Sequence, residues 1–310
     1  MTIYIGHTTA ALYWERALFR PKVREHRISE KECYVRKCDV VSAIDKLSLC
    51  ALIDIVLLKS KNRGKRGFAK FHVDKKAPAT KKFVRIDYDL YISSPETCFL
   101  EAASSMSKYD LIRLAFSLCG TYAISQEGLL QKREQLTTVS KLRKYVLSCP
   151  RTESAKKALS ALRYTLDGSA SPMETNVAMA LCLRRKMGGY GISLPEMNVR
   201  VAAKQNQMVN RSHFVCDLFW KKHSLAVEYD SITFHKTEGK QCSDSARRAG
   251  LISCGIQVVS LTTQQFFNRR WFDEFARAIS KLTGKRLKKN DFDFSLSQNN
   301  FYKSIKFSPA

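Results

Sequence analysis

Apolar and polar positions along this chain follow two rhythms, one of period two and one of helical period, and they change places several times. Residues 8–19 (TTAALYWERALF) predict a short helix, with Thr8 or Thr9 as its cap and Pro21 as its stop. Residues 51–58 (ALIDIVLL), 69–73 and 83–92 are short apolar or aromatic runs that predict strands. From Ser94 the helical rhythm takes over. Ser94 followed by Pro95 has the form of an N-cap with proline at the first helical position. Helices are expected over 95–106, 108–119, 138–148 and 152–166, with breaks at Gly120 and Gly128. Asp167-Gly168-Ser169-Ala170 reads as a linker.

Ser171-Pro172 opens the next helix, expected to run to about Lys186 and to stop at Gly188-Gly189. A strand follows at 198–203 and a polar loop at 204–211. Residues 213–220 and 225–230 are apolar runs on either side of Lys221, Lys222, His223 and Ser224, the pattern of a hairpin. A helix over 244–253 ends at Gly255. Residues 256–261 (IQVVSL) are mainly apolar, as suits a sheet interior. A last amphipathic helix is expected over 264–282. Residues 284–310 are basic, then rich in Phe, Ser and Asn, and read as a poorly ordered tail or a strand added to a neighbour. The whole predicts an α/β protein. A mixed sheet flanked by helices occupies 169–283. An α+β region precedes it, made of a basic β-rich part at 1–92 and a helical part at 93–168.

The hairpin is the stretch with chemistry in it. An unpaired charge is costly inside an apolar strand, yet this hairpin carries Asp217, Glu228 and Asp230. Glu228 and Asp230 share a strand face. A four-residue turn at 221–224 sets Asp217 opposite Glu228, with Cβ atoms about 5 Å apart; an odd-length turn would separate them. Converging carboxylates repel unless a hard cation neutralises them, and Mg²⁺ (or Mn²⁺) needs only one or two carboxylates besides water and substrate phosphate. The bland alternative is a solvated face on which Asp217 and Glu228 pair with nearby Lys and Arg. Glu174, in the first turn of its helix, either complements the helix dipole or adds an acid to the site. His235 has the right chemistry to take a proton from water. Asp244 and Arg247, three residues apart, would form an ordinary surface ion pair on a helix.

Composition sharpens the choice of partner. The chain of 310 residues carries 53 Lys and Arg against 28 Asp and Glu, a net charge of +25. That favours a polyanion, most plausibly nucleic acid. Residues 59–67 (KSKNRGKRG) are either a phosphate-contacting loop or a solvated turn. The ten cysteines contain no CxxC pair, which argues against zinc. Several sit in apolar runs and read as reduced, which suggests a cytoplasmic protein. The N-terminus lacks the form of a signal peptide, and no run reaches the ~18 apolar residues of a membrane span.

The order helix with acid, hairpin with Asp and Glu, helix, strand resembles the restriction-endonuclease-like PD-(D/E)xK family. The closest branch is the one related to very-short-patch repair endonucleases. Its hairpin reads D…ExD, followed by a His and a helix with D-x-x-R-x-x-x-L-x-x-x-G. Here these are Asp217, Glu228-Tyr229-Asp230, His235, and Asp244, Arg247, Leu251 and Gly255. The resemblance covers roughly 170–265 and includes Ser171, Pro172 and Glu174. It implies a Mg²⁺-dependent DNA endonuclease. Asp217, Glu228 and the Tyr229 carbonyl would hold the metal, and Glu174 would complete the cluster through water. Asp230 would take a second metal or orient water, His235 would act as base, and Arg247 would face the scissile phosphate. The sequence departs from the family where Asp230 stands in place of the usual Lys and Ser231 in place of Gly. Residues 93–122 are similar to the helical region of AbiEi-type antitoxins. That likeness supports the alternative of a non-catalytic DNA-binding regulator built on a degenerate nuclease fold.

Overall fold

A computed structural model describes residues 2–21, 28, 42–44, 46–47, 53–58, 69–74, 82–202, 213–230 and 238–305, with the backbone alone over 238–244. The basic loop at 59–67, the loop at 204–211, Ser231 and His235 lie outside the described residues. The protein is α/β, with mixed sheets flanked by helices. It divides between Thr165 and Leu166 into two compact units.

The first unit is built on a five-stranded sheet of order β3-β2-β1-β5-β4. Its strands are β1 (Ile3–Ile5), β2 (Ile53–Leu57), β3 (Ala69–Val73), β4 (Phe83–Asp87) and β5 (Leu90–Ser93). β1 runs parallel to β5 and antiparallel to β2. Every residue of β1 and β2 is buried, including Asp54, which accepts hydrogen bonds from the Thr9 backbone and hydroxyl, both at 3.1 Å. That commitment of Thr9 explains a difference from expectation: α1 (His7–Arg16) starts from Gly6 without a side-chain cap. Residues 83–92 fold as a hairpin rather than one strand. The Asp87 carboxylate accepts the Tyr88 N–H at 2.7 Å and turns the chain there.

The helices that follow obey their caps. Ser94 accepts from the Thr97 N–H and Pro95 occupies the first turn of α2 (Pro95–Ala102). Ser107, Thr138 and Thr152 cap α3 (Lys108–Leu118), α4 (Val139–Ser148) and α5 (Glu153–Ala161) in the same way. Between α3 and α4 a small hairpin, β6 (Tyr122–Ile124) with β7 (Leu130–Lys132), replaces the break expected near Gly128.

In the second unit the elements follow the expected order. They are α6 (Pro172–Cys182), β8 (Glu196–Ala202), β9 (His213–Trp220), β10 (Leu225–Asp230), α7 (Glu238–Ser253), β11 (Gln257–Thr262), α8 (Thr263–Phe267) and α9 (Arg269–Leu282). The sheet has the order β11-β10-β9-β8. β8, β9 and β10 are antiparallel neighbours, and α7 carries the chain over to β11, parallel to β10. α7 packs through Leu251 on a core of Phe214, Cys216, Phe219, Ala226 and Ile256.

Three differences from expectation have local causes. α6 stops at Cys182, and a short 3₁₀ turn, Arg185–Met187, brings the chain to Gly188 at φ 79°. The helix expected over 264–282 is cut at Asn268, whose side chain accepts the Trp271 N–H and so caps α9. The expected tail contains a helix, α10 (Phe292–Ser304), capped by Asp291. Phe294, Gln298 and Phe301 are buried on it. Their spacing of four and three is one stripe of a helix, which the polar residues between them conceal.

Candidate functional site

The β9–β10 hairpin turns through Lys221, Lys222, His223 and Ser224, with Ser224 left-handed at φ 45°. The register pairs Leu225 with Trp220, Ala226 with Phe219 and Val227 with Leu218. One further step sets Glu228 against Asp217, the relationship a four-residue turn predicts. The two acids are held differently. Asp217, half-buried, accepts the Tyr229 N–H at 2.8 Å through Oδ2. Glu228 is buried; its Oε2 lies 2.5 Å from an Arg247 guanidinium nitrogen, the Asp217 backbone N–H also favours its anion, and its Oε1 is buried with no hydrogen-bond partner of normal geometry among the described residues.

Arg247 reaches the sheet, and the Asp244 side chain that helix spacing would pair with it lies outside the described residues. The same guanidinium nitrogen that meets Glu228 also donates to the Val215 carbonyl. Its placement depends on Gly250, one turn along α7. A Cβ there would fall 2.3 Å from Cζ of Phe214, so only glycine lets α7 approach β9 this closely.

Glu174 lies in the first turn of α6. Its Oε2 accepts from the Ala170 N–H at 2.9 Å and the Asn198 amide at 2.7 Å, and its Oε1 accepts from the Ser171 hydroxyl at 3.0 Å. Glu174 is thus held at the α6 cap by these three hydrogen bonds. What reaches the hairpin acids is its charge. Sequence reasoning passed over Asn198, which ties β8 to that cap. It has φ 50°, and the β8–β9 ladder is interrupted where it faces Asp217, between the pairs Met197–Leu218 and Val199–Cys216. An Asn, a residue that visits the left-handed region more readily than most, early in a strand beside Val199 is the available signal.

The electrostatics follow from this packing. Burial pushes the Glu228 carboxyl up to about 7, Asp217's charge adds to the rise, and Arg247 opposes it. Burial raises Asp217 too, against the Tyr229 N–H and Arg247, with Asp230 adding repulsion. Glu174 is raised by burial and then by Asp217. Three acids thus share one field, with Arg247 the cation that offsets it. Asp230, half-buried at the end of β10 opposite Thr262, belongs to this field.

The donor set bears on whether a metal fits. Among the described residues no group of three His, Cys, Asp or Glu side chains is arranged to cage an ion. Two opposed carboxylates with an orphaned, buried oxygen still fit a hard cation that keeps most of its water, as Mg²⁺ does. No family model, curated protein or solved structure matches the chain. No helix among the described residues is long and apolar enough to cross a membrane.

Proposed function

We propose that the chain is a divalent-cation-dependent nuclease that hydrolyses phosphodiester bonds in DNA. The observation that carries this reading is the opposition of Asp217 and Glu228 across β9–β10, with Glu228 Oε1 buried and unpartnered. A buried carboxylate oxygen without a donor costs on the order of 1–3 kcal/mol or more, and a fold that keeps one beside a second acid is arranged for a cation. Asp217 and Glu228 would hold it, with the backbone carbonyl of Tyr229, the residue after Glu228, as a third ligand. The bound ion would supply a polarised water and neutralise charge on the phosphate. Arg247 balances Glu228 and is close enough to the acids to meet an anionic substrate. Asp230 orients water at the open end of β10. The net charge of +25 supports a nucleic-acid substrate. The order of elements from α6 to β11 agrees with the restriction-endonuclease-like resemblance, which supports the same reading.

The test is cleavage of duplex, nicked and single-stranded DNA by the full chain with Mg²⁺ or Mn²⁺. Asp217→Ala and Glu228→Ala should abolish it and leave DNA binding in EDTA intact. Absence of cleavage on every substrate removes the enzyme reading.

A second reading has its own observation. Arg247 already neutralises Glu228, Glu174 is spent on its cap, and Asp230 stands where a lysine is usual. These favour a DNA-binding regulator whose acids are structural. Binding to a specific promoter fragment, indifferent to EDTA and to Asp217→Ala, would select it.

A further inference from the structure

Two basic segments far apart in sequence meet in the second unit. One is Arg184-Arg185-Lys186, in the turn after α6. The other is Lys285-Arg286-Leu287-Lys288-Lys289, between α9 and α10. Arg185 joins them: it donates to the Lys289 carbonyl at 3.0 Å, across a separation of 104 residues. The same side chain pairs with Asp291 at 3.4 Å and lies 4.0 Å from the Phe294 ring centroid. Gly188 seals the contact, since a Cβ there would meet the Ser297 carbonyl oxygen at 2.6 Å and Phe301 Cβ at 2.9 Å. The turn is therefore seated on α10, and the patch is part of the fold.

With Arg185 spent as the clamp, Arg184, Lys186, Lys285, Arg286, Lys288 and Lys289 are all exposed. The acid closest in sequence, Asp291, is already paired with Arg185. Like charges on adjoining turns repel one another; Asp273, beside Asn290, is paired with Arg277, and the cluster is poised for an anion of repeating charge. Their position suits the acid site. Glu174 and Cys182 are eight residues apart on α6, about 12 Å at 1.5 Å per residue, and Arg184 lies two residues past that helix end. Duplex DNA offers a phosphate about every 1.7 Å of axis, so a duplex touching the patch has further phosphates within that span.

Resting on the nuclease reading, we infer that this two-segment basic patch is the docking surface for the phosphate backbone of duplex DNA, anchoring it beside the Asp217–Glu228 acids. It reads charge and not sequence, because its outward groups are flexible cations with no fixed base-reading fork.

The test uses the full chain and a labelled duplex of about 30 base pairs in EDTA, with affinity followed from about 50 to 200 mM salt. One variant changes the six exposed residues to Gln. A charge-matched control changes Lys132, Lys141, Lys144, Arg151, Lys156 and Arg163, exposed in the first unit, to Gln. The patch variant should lose about 100-fold in affinity and show a salt slope lower by about 3, since each lost phosphate contact removes about 0.9. The control should lose several-fold at most. The pair Arg286→Gln and Lys288→Gln, a milder change, should lower the slope by about 1 to 2. Equal losses in patch variant and control, no binding of duplex by the unaltered chain, or tighter binding of RNA than of duplex DNA would each overturn the inference. Patch-dependent binding without cleavage in Mn²⁺ would leave the patch standing and remove the nuclease reading.

Discussion

Arg247 serves one oxygen of Glu228, at 2.5 Å, and leaves the other buried and unpartnered among the described residues. A guanidinium usually meets a carboxylate with two parallel bonds, but here its nitrogen is shared with the Val215 carbonyl. The first prediction follows from that half-served acid. A cation that binds the folded chain and not the unfolded one stabilises it by about 2.7 kcal/mol at a hundred times its dissociation constant. Mn²⁺ or Mg²⁺ should therefore raise the melting temperature of the unaltered chain by several degrees, and Asp217→Ala should erase the rise. Calorimetry in EDTA and in excess Mg²⁺ measures both; equal shifts in the two proteins would count against a cation at these acids.

Glu228 also sets a pH dependence. Its folded carboxyl is pushed up to about 7 from a usual 4.5, chiefly by burial. An acid whose pKa is raised on folding is ionised more readily in the unfolded chain. The folded state is unaffected below about 4.5, loses stability as pH rises between the two values, and carries the full cost above about 7. At about 1.4 kcal/mol per unit, the cost is on the order of 3–4 kcal/mol at most. Glu228→Gln should thus melt higher than the unaltered chain at pH 8 in EDTA, with the gap closing towards pH 4. A gap that widens on acidification would show that Glu228 is stabilised as the anion.

The hairpin was legible in the sequence because its information is local. Turn length fixed register, and register set Asp217 against Glu228. The partner of Arg247 was not legible, because a spacing of three on a helix describes neighbours on that helix and says nothing of the sheet beneath it. For Glu174 the sequence leaves open a dipole-complementing first-turn acid and a metal-site acid, because the donors that hold it, Ala170 N–H and the Asn198 amide, come from a loop and from β8. The helix at Phe292–Ser304 was missed for a different reason. Its buried stripe consists of Phe294, Gln298 and Phe301, and the polar Gln in the middle breaks the apolar period. Gln298 is buried because its amide donates to the Tyr190 hydroxyl at 3.0 Å, a contact 108 residues away.

Gly250 gives a prediction about packing. Alanine is the better helix former by about 1 kcal/mol, so on propensity Gly250→Ala would stabilise α7. The Cβ would however fall 2.3 Å from the Phe214 ring, and overpacking of this kind costs about 1–3 kcal/mol. The variant should melt lower than the unaltered chain. It should also lose cation-dependent stabilisation or cleavage, because lifting α7 withdraws Arg247 from Glu228. Pairing it with Phe214→Leu should recover part of the stability, and failure of that rescue would mean that the contact with Phe214 is not the cause.

Asn198 separates two effects that a single substitution would confuse. Its backbone sits at φ 50°, which costs most L-residues about 1–2 kcal/mol and glycine little. Its amide also donates to Glu174 Oε2 and the Gly168 carbonyl, at 2.7 and 2.9 Å, and hydrogen bonds to a charged group contribute about 1.5–3 kcal/mol each. Asn198→Gly keeps the backbone conformation and loses the bonds; Asn198→Ala loses both. Stability in urea should therefore fall in the order Asn, Gly, Ala, with the two variants separated by about 1 kcal/mol. Glycine and alanine of equal stability would mean that the left-handed backbone is not what the site requires. Both variants release Glu174 from β8 and expose Asp217 to a less constrained charge. A loss of cation binding shared equally by the two would trace the site's order to the Asn198–Glu174 bond, whereas a loss confined to alanine would trace it to the bend in β8.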